Sequence, residues 1–540
     1  VVRVNKKPAT YGMWKKQPDF GNAQKQWDEY QGKYKLYPGY GRDMAGNDIG
    51  YYMTYDCEEG EQVEVQVGVS FVSIANAREN LNKEQKGFNF DATAKEAHDQ
   101  WASTLDKVTV EGGTEQQRRV FYTALYHSQI HPTILQDVNG EYPKMESSEN
   151  GKTSGNRYTV FSLWDTYRNL SQLETLLYPD RQVDMINSMI DMYREWGWMP
   201  KWELFSRETW TMEGDPAIPY IADAYMRGLR GFDIETAYKA FRTSATLPGK
   251  ENRMRPDIDP YVSKGYVPLG FYAADMSGDN SVSHALEYYL ADNALSILAA
   301  ELGHKSDAKL FRQRSLGYRH YYSKESGTLR PINMDGSFLT PFNPEAGANF
   351  ENCPGFHEGS AWNYTFYVPH DVTGLAKLMG GQKKFVDKLQ MVFDKGLYDP
   401  ANEPDIAYPY LFSYFKGDEW RTQKTVSELL KKYYTTRPDG IPGNEDTGTM
   451  SAWAIFSMIG LYPDNPGDPS YTLTTPAFDK VTLHLDPKFY PNGDITIETD
   501  RTSPSQQYIK SITIGGKKLN GFRIAHHQLM EGKTLKMQLK

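Results

Sequence analysis

Two segments with helical spacing follow one another in the sequence. They are Asp371-Val-Thr-Gly-Leu-Ala-Lys-Leu-Met379 and, two glycines later, Gln382-Lys-Lys-Phe-Val-Asp-Lys-Leu-Gln-Met-Val-Phe393. The first is weakly charged, whereas the second places its lysines and aspartate opposite an apolar face. This spacing predicts a largely buried helix followed by an amphipathic one. Residues 408–415 and 419–434 repeat the contrast. Alternation of this kind is typical of an (α/α)6 barrel, in which inner helices are buried all round and outer helices on one face.

Apolar residues at helical spacing continue from this pair in both directions along the 540-residue chain. It predicts a connecting helix over 92–108 and twelve later helices. The twelve are residues 114–130, 162–177, 181–196, 216–228, 234–245, 285–302, 306–322, 371–379, 382–393, 408–415, 419–434 and 449–461. We therefore predict a mainly α fold, with a linker helix in 92–113 and an (α/α)6 barrel over 114–463.

Strand-like patterns mark both ends of the chain. Residues 51–55 and 63–73 precede the helices, and residues 471–473, 481–485, 495–499, 509–514 and 534–539 follow them. We predict that residues 1–91 are the C-terminal part of an N-terminal β-sandwich packed against the barrel, and that 464–540 form further strands. Because the first segment holds too few strands to close a sandwich, we expect an N-terminal segment or a second chain to complete it.

Composition narrows the classes of function. The formal net charge is −9 and no basic run occurs, which argues against nucleic acid as a partner. No stretch approaches 18 consecutive apolar residues, so we predict no membrane span. Aromatic residues make up 14 % of the chain, which suits stacking on sugar rings but is equally explained by a large helical core. The two cysteines, Cys57 and Cys353, fit neither a disulfide framework nor a zinc cluster.

Five loops are dense in carboxylates, amides and tryptophan, and most lie just before a predicted helix. They are Ser162-Leu-Trp-Asp-Thr-Tyr-Arg168, Met199-Pro-Lys-Trp-Glu203 with Gly214-Asp-Pro216, Phe356-His-Glu-Gly-Ser-Ala-Trp362, Asn402-Glu-Pro-Asp405 and Gly443-Asn-Glu-Asp-Thr-Gly448. Helix capping explains any one of them, because such residues satisfy free N–H groups. It does not explain why most of the five also place a tryptophan or glycine beside the acid.

Acetal hydrolysis needs one protonated carboxyl group and one ionised carboxylate. Glu358 lies between His357 and Gly359, and Trp362 follows four residues later, where an apolar ring would raise the pKa of the acid. Asp446 follows Glu445, whose like charge can tune it. In an inverting enzyme the two groups stand roughly 6.5–9.5 Å apart. These properties alone do not distinguish the two candidates from the other acids.

At these loops the chain closely resembles glycoside hydrolase family 92, the calcium-dependent α-mannosidases. Segments 162–168, 199–204, 214–217, 358–364, 368–371, 402–404, 443–446 and 450–453 follow the family's order. The resemblance implies a β-sandwich against an (α/α)6 barrel, with the active site at their junction. It also implies exo-hydrolysis of terminal α-mannosides of glycans with inversion of configuration.

The resemblance further implies roles for individual residues. Glu358 resembles the general acid and Asp446 the general base. The substrate-binding candidates are Trp164, Asp165, Arg168, Glu203, His357, Trp362 and Asn444. The cofactor is Ca²⁺, with Asn402 and Glu403 as the nearest protein contacts, because a hard cation can take sugar hydroxyls as oxygen ligands.

The chain departs from the family in the segment Asp405-Ile-Ala-Tyr408, where many relatives carry histidine. We therefore expect a linkage preference other than the common α-1,2 type, and the linkage itself stays open. Glu358 argues against the branch that cleaves mannosyl phosphodiesters, whose good leaving group needs no acid. Two alternatives also stay open: another (α/α)6 glycosidase acting on α-glucosides without metal, and a non-catalytic mannose-binding protein. A glycan substrate implies a secreted, periplasmic or cell-surface location.

Overall fold

The computed structural model describes residues 1–16, 34–44, 46, 48–271, 280–347 and 353–540. These residues form two compact units, one of residues 1–99 with 137–139 and one of residues 100–136 with 140–540. The helix Phe90–Leu105 runs through the chain boundary between them. Within the described residues, no helix has both the length and the apolar character that a membrane crossing requires.

The smaller unit contains two small sheets and a helix. Tyr34–Pro38, Thr10–Lys16 and Ile49–Thr54 form an antiparallel sheet in that order, and Val2–Val4 pairs with Val65–Val67. The strand predicted over 63–73 is therefore limited to three residues. It stops at Gly68, where an added Cβ would lie 2.3 Å from the carbonyl oxygen of Ala77, because the following helix packs directly against the chain there.

That helix, Ile74–Glu84, was not predicted, and it anchors a distant part of the chain. The carboxylate of Asp137 accepts hydrogen bonds from Ser70 Oγ at 2.7 Å, Asn76 Nδ2 at 2.8 Å and Asn80 Nδ2 at 2.7 Å. Two asparagines four residues apart lie on one face of a helix, so both can reach the same carboxylate. Residues 137–139 belong to the smaller unit for this reason.

The larger unit is helix-rich. Its helices are Glu115–His127, Leu163–Thr166, Leu170–Leu177, Pro179–Trp196, Ala217–Met226, Ile234–Thr246, Ile258–Lys264, Ser281–Glu301, Lys305–Arg314, Ala361–Thr365, Val372–Leu378, Gln382–Asp394, Glu419–Tyr433, Thr449–Ile459 and His526–Gly532. The predicted contrast fails for the first helix from which it was read, because Val372–Leu378 buries only three of its seven residues and packs on one face, whereas Gln382–Asp394 is amphipathic as predicted. The contrast is clear between other helices. Ser281–Glu301 is buried almost all round and Lys305–Arg314 buries only Phe311, while Thr449–Ile459 is fully buried and Glu419–Tyr433 is buried on one face. The closed (α/α)6 ring itself stays a prediction.

Three predicted helices differ from the structure. Residues 162–177 form two helices because Asn169, with φ of −158°, leaves the helical conformation. The helix predicted over 306–322 ends at Arg314 and continues as a 3₁₀ turn, Gly317–Tyr321. Residues 408–415 form a 3₁₀ helix, Tyr408–Tyr414, in whose first turn Pro409 lies.

Five C-terminal strands and one strand that precedes the helices of the larger unit form a six-stranded sheet. Its order is Lys517–Lys518, Ile509–Ile514, Thr534–Leu539, Ile495–Thr499, Lys480–Leu483 and Val108–Glu111. The last strand lies inside the range assigned to the linker helix, where Val108 and Val110 point into the core and alternate with exposed residues. A four-residue change from helical to alternating spacing is too short to recognise beside a long helix, which explains why this strand was missed.

Three further short strands position the site. Phe161–Ser162 pairs with Trp202–Leu204, which pairs in turn with Arg207–Glu208. The first of these strands leads directly into the helix Leu163–Thr166. The little sheet therefore fixes the start of the helix that carries Trp164 and Asp165.

Candidate active site

Three carboxylates from distant segments converge in the larger unit. Asp165, Glu403 and Asp446 each offer one oxygen, and these oxygens lie within 4.8 Å of one another. Asp165 lies on the helix Leu163–Thr166, whereas Glu403 and Asp446 each begin a 3₁₀ turn. Asp165 and Glu403 are buried and Asp446 is partly exposed, so the group has one open side.

The charges of this group oppose one another. Burial raises the pKa of Asp165 well above its usual value, and the nearby Asp446 carboxylate raises it further. Burial raises the pKa of Glu403 in the same way, with Asp165 and Asp446 adding to the effect. One oxygen of Glu403, Oε1, is buried without a hydrogen-bond partner among the described residues. An acidic group with oxygen ligands only and a spare buried oxygen fits a hard divalent cation.

Glu358 lies near this group in an unusual backbone conformation. Its φ is +51°, a left-handed value that is uncommon outside glycine and is often found at functional sites. Its carbonyl oxygen accepts a hydrogen bond of 2.9 Å from Asn402 Nδ2. Burial raises the pKa of its carboxyl group, His357 lowers it, and Glu213 and Asp446 raise it. The net effect favours the protonated form that a general acid requires.

His357 links Glu358 to a buried acid. Its Nδ1 is in close contact with Glu213 Oε1, and its Nε2 lies 3.8 Å from Glu358 Oε1. Burial lowers the pKa of His357, but the Glu213 carboxylate, together with Glu358, more than offsets this, so that the pKa is raised overall. The backbone on both sides of the imidazole is also held, because His357 N donates to Ser283 Oγ at 3.0 Å and Tyr364 donates to His357 O at 2.7 Å.

Arg168 and Trp164 form a buried cation–π pair. The guanidinium carbon lies 4.7 Å from the centre of the Trp164 ring, and Nε donates to Trp164 O at 3.0 Å. Arg168 Nη2 donates to Glu287 Oε1 at 2.6 Å, which fixes the guanidinium from the other side. Trp164 Nε1 and Arg168 Nη1 remain buried donors without a hydrogen-bond partner among the described residues.

The other predicted sugar contacts occupy different surroundings. Glu203 is fully buried and accepts hydrogen bonds from Thr159 Oγ1 at 2.7 Å, Val160 N at 3.0 Å and Ser206 N at 2.5 Å. Burial raises its pKa to about 7. These hydrogen bonds hold the turn around Ser206. The contact predicted between Glu203 and the sugar stays a prediction.

Trp362 and Asn444 differ sharply in exposure. Trp362 is buried on the helix Ala361–Thr365, and its Nε1 has no hydrogen-bond partner among the described residues. Asn444 is exposed, next to Glu445, whose pKa is raised to about 7 by burial. The predicted substrate contacts of both residues stay predictions.

Asn402 and Glu403, the two residues of the predicted calcium site, have different neighbours. The amide nitrogen of Asn402 is bound to the carbonyl oxygen of Glu358, so only its Oδ1 could face a cation. The carboxylates beside Glu403 are instead those of Asp165 and Asp446. The structure thus supplies a wider acidic group than the predicted pair.

Sequence reasoning missed Glu213 and Glu287, which hold His357 and Arg168. Glu213 directly precedes Gly214-Asp-Pro216, one of the five acid-rich loops, so the loop boundary was drawn one residue too late. Glu287 lies in the middle of the buried helix Ser281–Glu301. An acid inside such an apolar helix is the signal that could have identified it, because buried charges need partners.

A helix-rich scaffold that brings an acid of raised pKa beside a group of carboxylates has the features of a carboxylate-dependent hydrolase. The family model described as "Glycosyl hydrolase family 92 catalytic domain" matches residues 76–540. The chain belongs to glycosyl hydrolase family 92.

Solved structures agree with this assignment. The GH92 α-mannosidase BT3965 from Bacteroides thetaiotaomicron is 28 % identical with a TM-score of 0.84, and the match covers 100 % of this chain and 69 % of that one. The GH92 inverting mannosidase BT2199 from Bacteroides thetaiotaomicron VPI-5482 is 26 % identical with a TM-score of 0.87, covering 100 % and 72 %. BT3965 has also been solved in complex with mannoimidazole.

A fungal relative is similar over most of this chain. An uncharacterized secreted glycosidase from Arthroderma benhamiae is 26 % identical over 530 residues, which cover 93 % of this chain and 64 % of the fungal protein. The chain thus spans less than two thirds of that relative's length.

Proposed function

We propose that the protein is an exo-acting α-mannosidase that hydrolyses terminal α-mannosides of glycans with inversion of configuration, assisted by calcium. The observation that carries this proposal is the placement of Glu358, an acid of raised pKa, near the group formed by Asp165, Glu403 and Asp446. The similar structures BT3965 and BT2199 are described as mannosidases, and BT2199 as inverting. A glycan substrate and the secreted fungal relative support a location outside the cytoplasm.

The chemistry divides between two carboxyl groups. Glu358 donates its proton to the glycosidic oxygen as the bond from that oxygen to the anomeric carbon breaks. Asp446 accepts a proton from the water whose oxygen attacks the anomeric carbon from the opposite face. After one turnover Glu358 is ionised and Asp446 is protonated, and proton exchange with solvent restores both.

The buried side chains nearby suit the binding of a sugar. Trp164 and Arg168 would hold the terminal mannose, since each keeps a buried donor free to bind a hydroxyl group. The further proposed contacts are Asp165, His357, Trp362, Asn444 and Glu203. Unpaired buried donors are costly unless a ligand satisfies them, so this arrangement favours a polar, hydroxylated substrate.

The acidic group fits a calcium ion. Glu403 and Asp165, with Asp446 beside them, would hold it, and Asn402 could add its Oδ1. When bound, calcium supplies a hard Lewis acid for vicinal sugar hydroxyls. The carboxylates oppose one another's ionisation, and a cation would relieve that repulsion.

The experiment is release of mannose from α-1,2-, α-1,3-, α-1,4- and α-1,6-linked mannobioses, with and without a calcium chelator. We expect release that stops on chelation and returns with added calcium. Release that survives chelation, on α-glucosides instead, would favour the metal-independent α-glucosidase. Binding of mannose without turnover of any substrate would favour the sugar-binding protein.

A further inference from the structure

Glu213 is a fully buried acid that contacts the acid-rich loop of residues 356–362 through His357. Its side chain has no exposed surface, and its Oε1 contacts His357 Nδ1 and accepts from Asn280 Nδ2 at 3.1 Å. Glu213 directly precedes Gly214, at which an added Cβ would lie 2.7 Å from Glu287 Cβ. The close packing at this glycine leaves Glu213 little freedom to move away from the imidazole.

The Glu213 contact determines which ring nitrogen faces the catalytic acid. A carboxylate next to Nδ1 requires a proton on that nitrogen, because two acceptors would repel each other. The other nitrogen, Nε2, then faces the carboxyl group of Glu358, whose nearest oxygen lies 3.8 Å away. Without Glu213, the ring could rotate or change its tautomer, and Glu358 would lose a fixed neighbour.

Glu358 itself needs such a neighbour. Its backbone is held at a left-handed φ of +51° by hydrogen bonds to its own carbonyl oxygen and to the carbonyl oxygen of His357. Its side chain is 39 % exposed, and no hydrogen bond from another side chain to its carboxyl oxygens is among the described contacts. His357 Nε2 is therefore the group placed to limit where this half-buried carboxyl group points.

We propose that Glu213 is a positioning residue that acts through His357 to aim the carboxyl group of Glu358 at the leaving oxygen. This inference rests on the proposed function, since it assigns Glu213 to the same proton-donation step. Glu213 does not contact the substrate in this account. Its effect should therefore appear only where the reaction depends on protonating the leaving group.

The test compares two leaving groups in the variant Glu213→Gln. Hydrolysis of a mannobiose requires proton donation, whereas a 2,4-dinitrophenyl α-mannoside releases a phenolate that needs almost none. We expect kcat for mannobiose to fall by about tenfold to a hundredfold, a fraction of the effect of a general acid, and kcat for the aryl mannoside to fall less than about threefold. Equal losses on both substrates would overturn the proposal, since a purely structural defect affects both alike.

A matched control and a double variant sharpen the test. Asp307→Asn removes a carboxylate that binds Tyr238 and Arg242 elsewhere in the larger unit, and it should leave the ratio between the two substrates unchanged. In a Glu358→Gln background, Glu213→Gln should not change the ratio further, because both act on one step. An additional change there would contradict an action through Glu358.

Two outcomes must be kept distinct. If Glu213→Gln fails to fold, Glu213→Asp keeps the charge but shortens the reach of the carboxylate to His357, and we expect the same selective loss. If the unaltered protein hydrolyses neither substrate, the proposed function is wrong. If it hydrolyses both and neither variant changes their ratio, only the positioning role is wrong.

Discussion

Asp165 and Glu403 lie with carboxylate oxygens within 4.8 Å of each other, although they come from distant parts of the chain. Both are buried, and burial raises the pKa of each well above its usual value. Two like charges at this distance destabilise the folded protein unless a proton or a cation separates them. At the proposed calcium site, the pair would therefore couple metal binding to stability.

Replacing Glu403 by Gln should reduce the stabilisation that calcium gives. Without calcium the variant should melt at or above the temperature of the unaltered protein, because one of three opposing charges is gone. With calcium in hundredfold excess over its dissociation constant, the unaltered protein should gain about 2.7 kcal/mol and the variant much less. Thermal melts with calcium and with chelator measure this, and Asp307→Asn is the control. An equal calcium shift in both proteins would remove Glu403 from the metal site.

Glu358→Gln should separate proton donation from the rest of the reaction. We expect kcat on mannobioses to fall by about 10²–10⁴-fold, because glutamine cannot donate the proton. Mannose binding should persist, since the amide keeps the shape of the side chain. Steady-state kinetics and calorimetric titration with mannose test both parts. A variant that retains full activity on mannobioses would show that another residue is the acid.

Arg168→Met should destabilise the protein as well as inactivate it. The substitution leaves the buried Glu287 without its cationic partner and with only the hydroxyl group of Tyr167 as a donor, and loss of a buried ion-pair partner typically costs about 3–5 kcal/mol. The double variant Arg168→Met/Glu287→Gln should regain much of this stability while remaining inactive. Urea unfolding measures the stability change. Wild-type stability in the single variant would mean that Glu287 is protonated or otherwise satisfied.

Glu174 should make stability depend on pH. Burial raises its pKa to about 8, and Gln129 Nε2 donates to it at 2.5 Å. Between the unfolded pKa near 4.5 and the folded value, the folded state holds the proton that the unfolded state has lost. The stability from this group is therefore present at low pH and falls as pH rises toward 8, by on the order of 5 kcal/mol.

Glu174→Gln should remove this dependence. Its melting temperature should match that of the unaltered protein near pH 5 and exceed it near pH 8. Glu115→Gln, at an exposed helix position, is the control and should follow the unaltered protein throughout. Parallel curves for Glu174→Gln and the unaltered protein would show that Glu174 does not retain its proton on folding.

Local patterns were sufficient to predict much of the helical part of the chain. The helix Gln382–Asp394 was predicted within one residue, because its apolar stripe and charged face are set by its own sequence. The break at Asn169 was not predicted, since nothing local forbids a continuous helix there. That break separates the segment bearing Asp165 from the next buried helix.

The site was predictable only in part. Glu358 and Asp446 were chosen through their motifs, and their positions in the family's order gave them their roles. The contact between Glu213 and His357 joins residues far apart in the chain, and no periodicity in either segment signals it. Contacts of this kind depend on the tertiary fold and cannot be recognised from local patterns in a single sequence.

The central claim is that Glu358 and Asp446 hydrolyse α-mannosides by a single displacement. The most direct measurement is a proton NMR time course of an α-mannobiose with the protein and calcium, following the anomeric signal of the released mannose. The account predicts that β-mannose appears first and then mutarotates. Initial release of α-mannose would show retention and contradict the acid–base assignment, and no release at all would contradict the mannosidase itself.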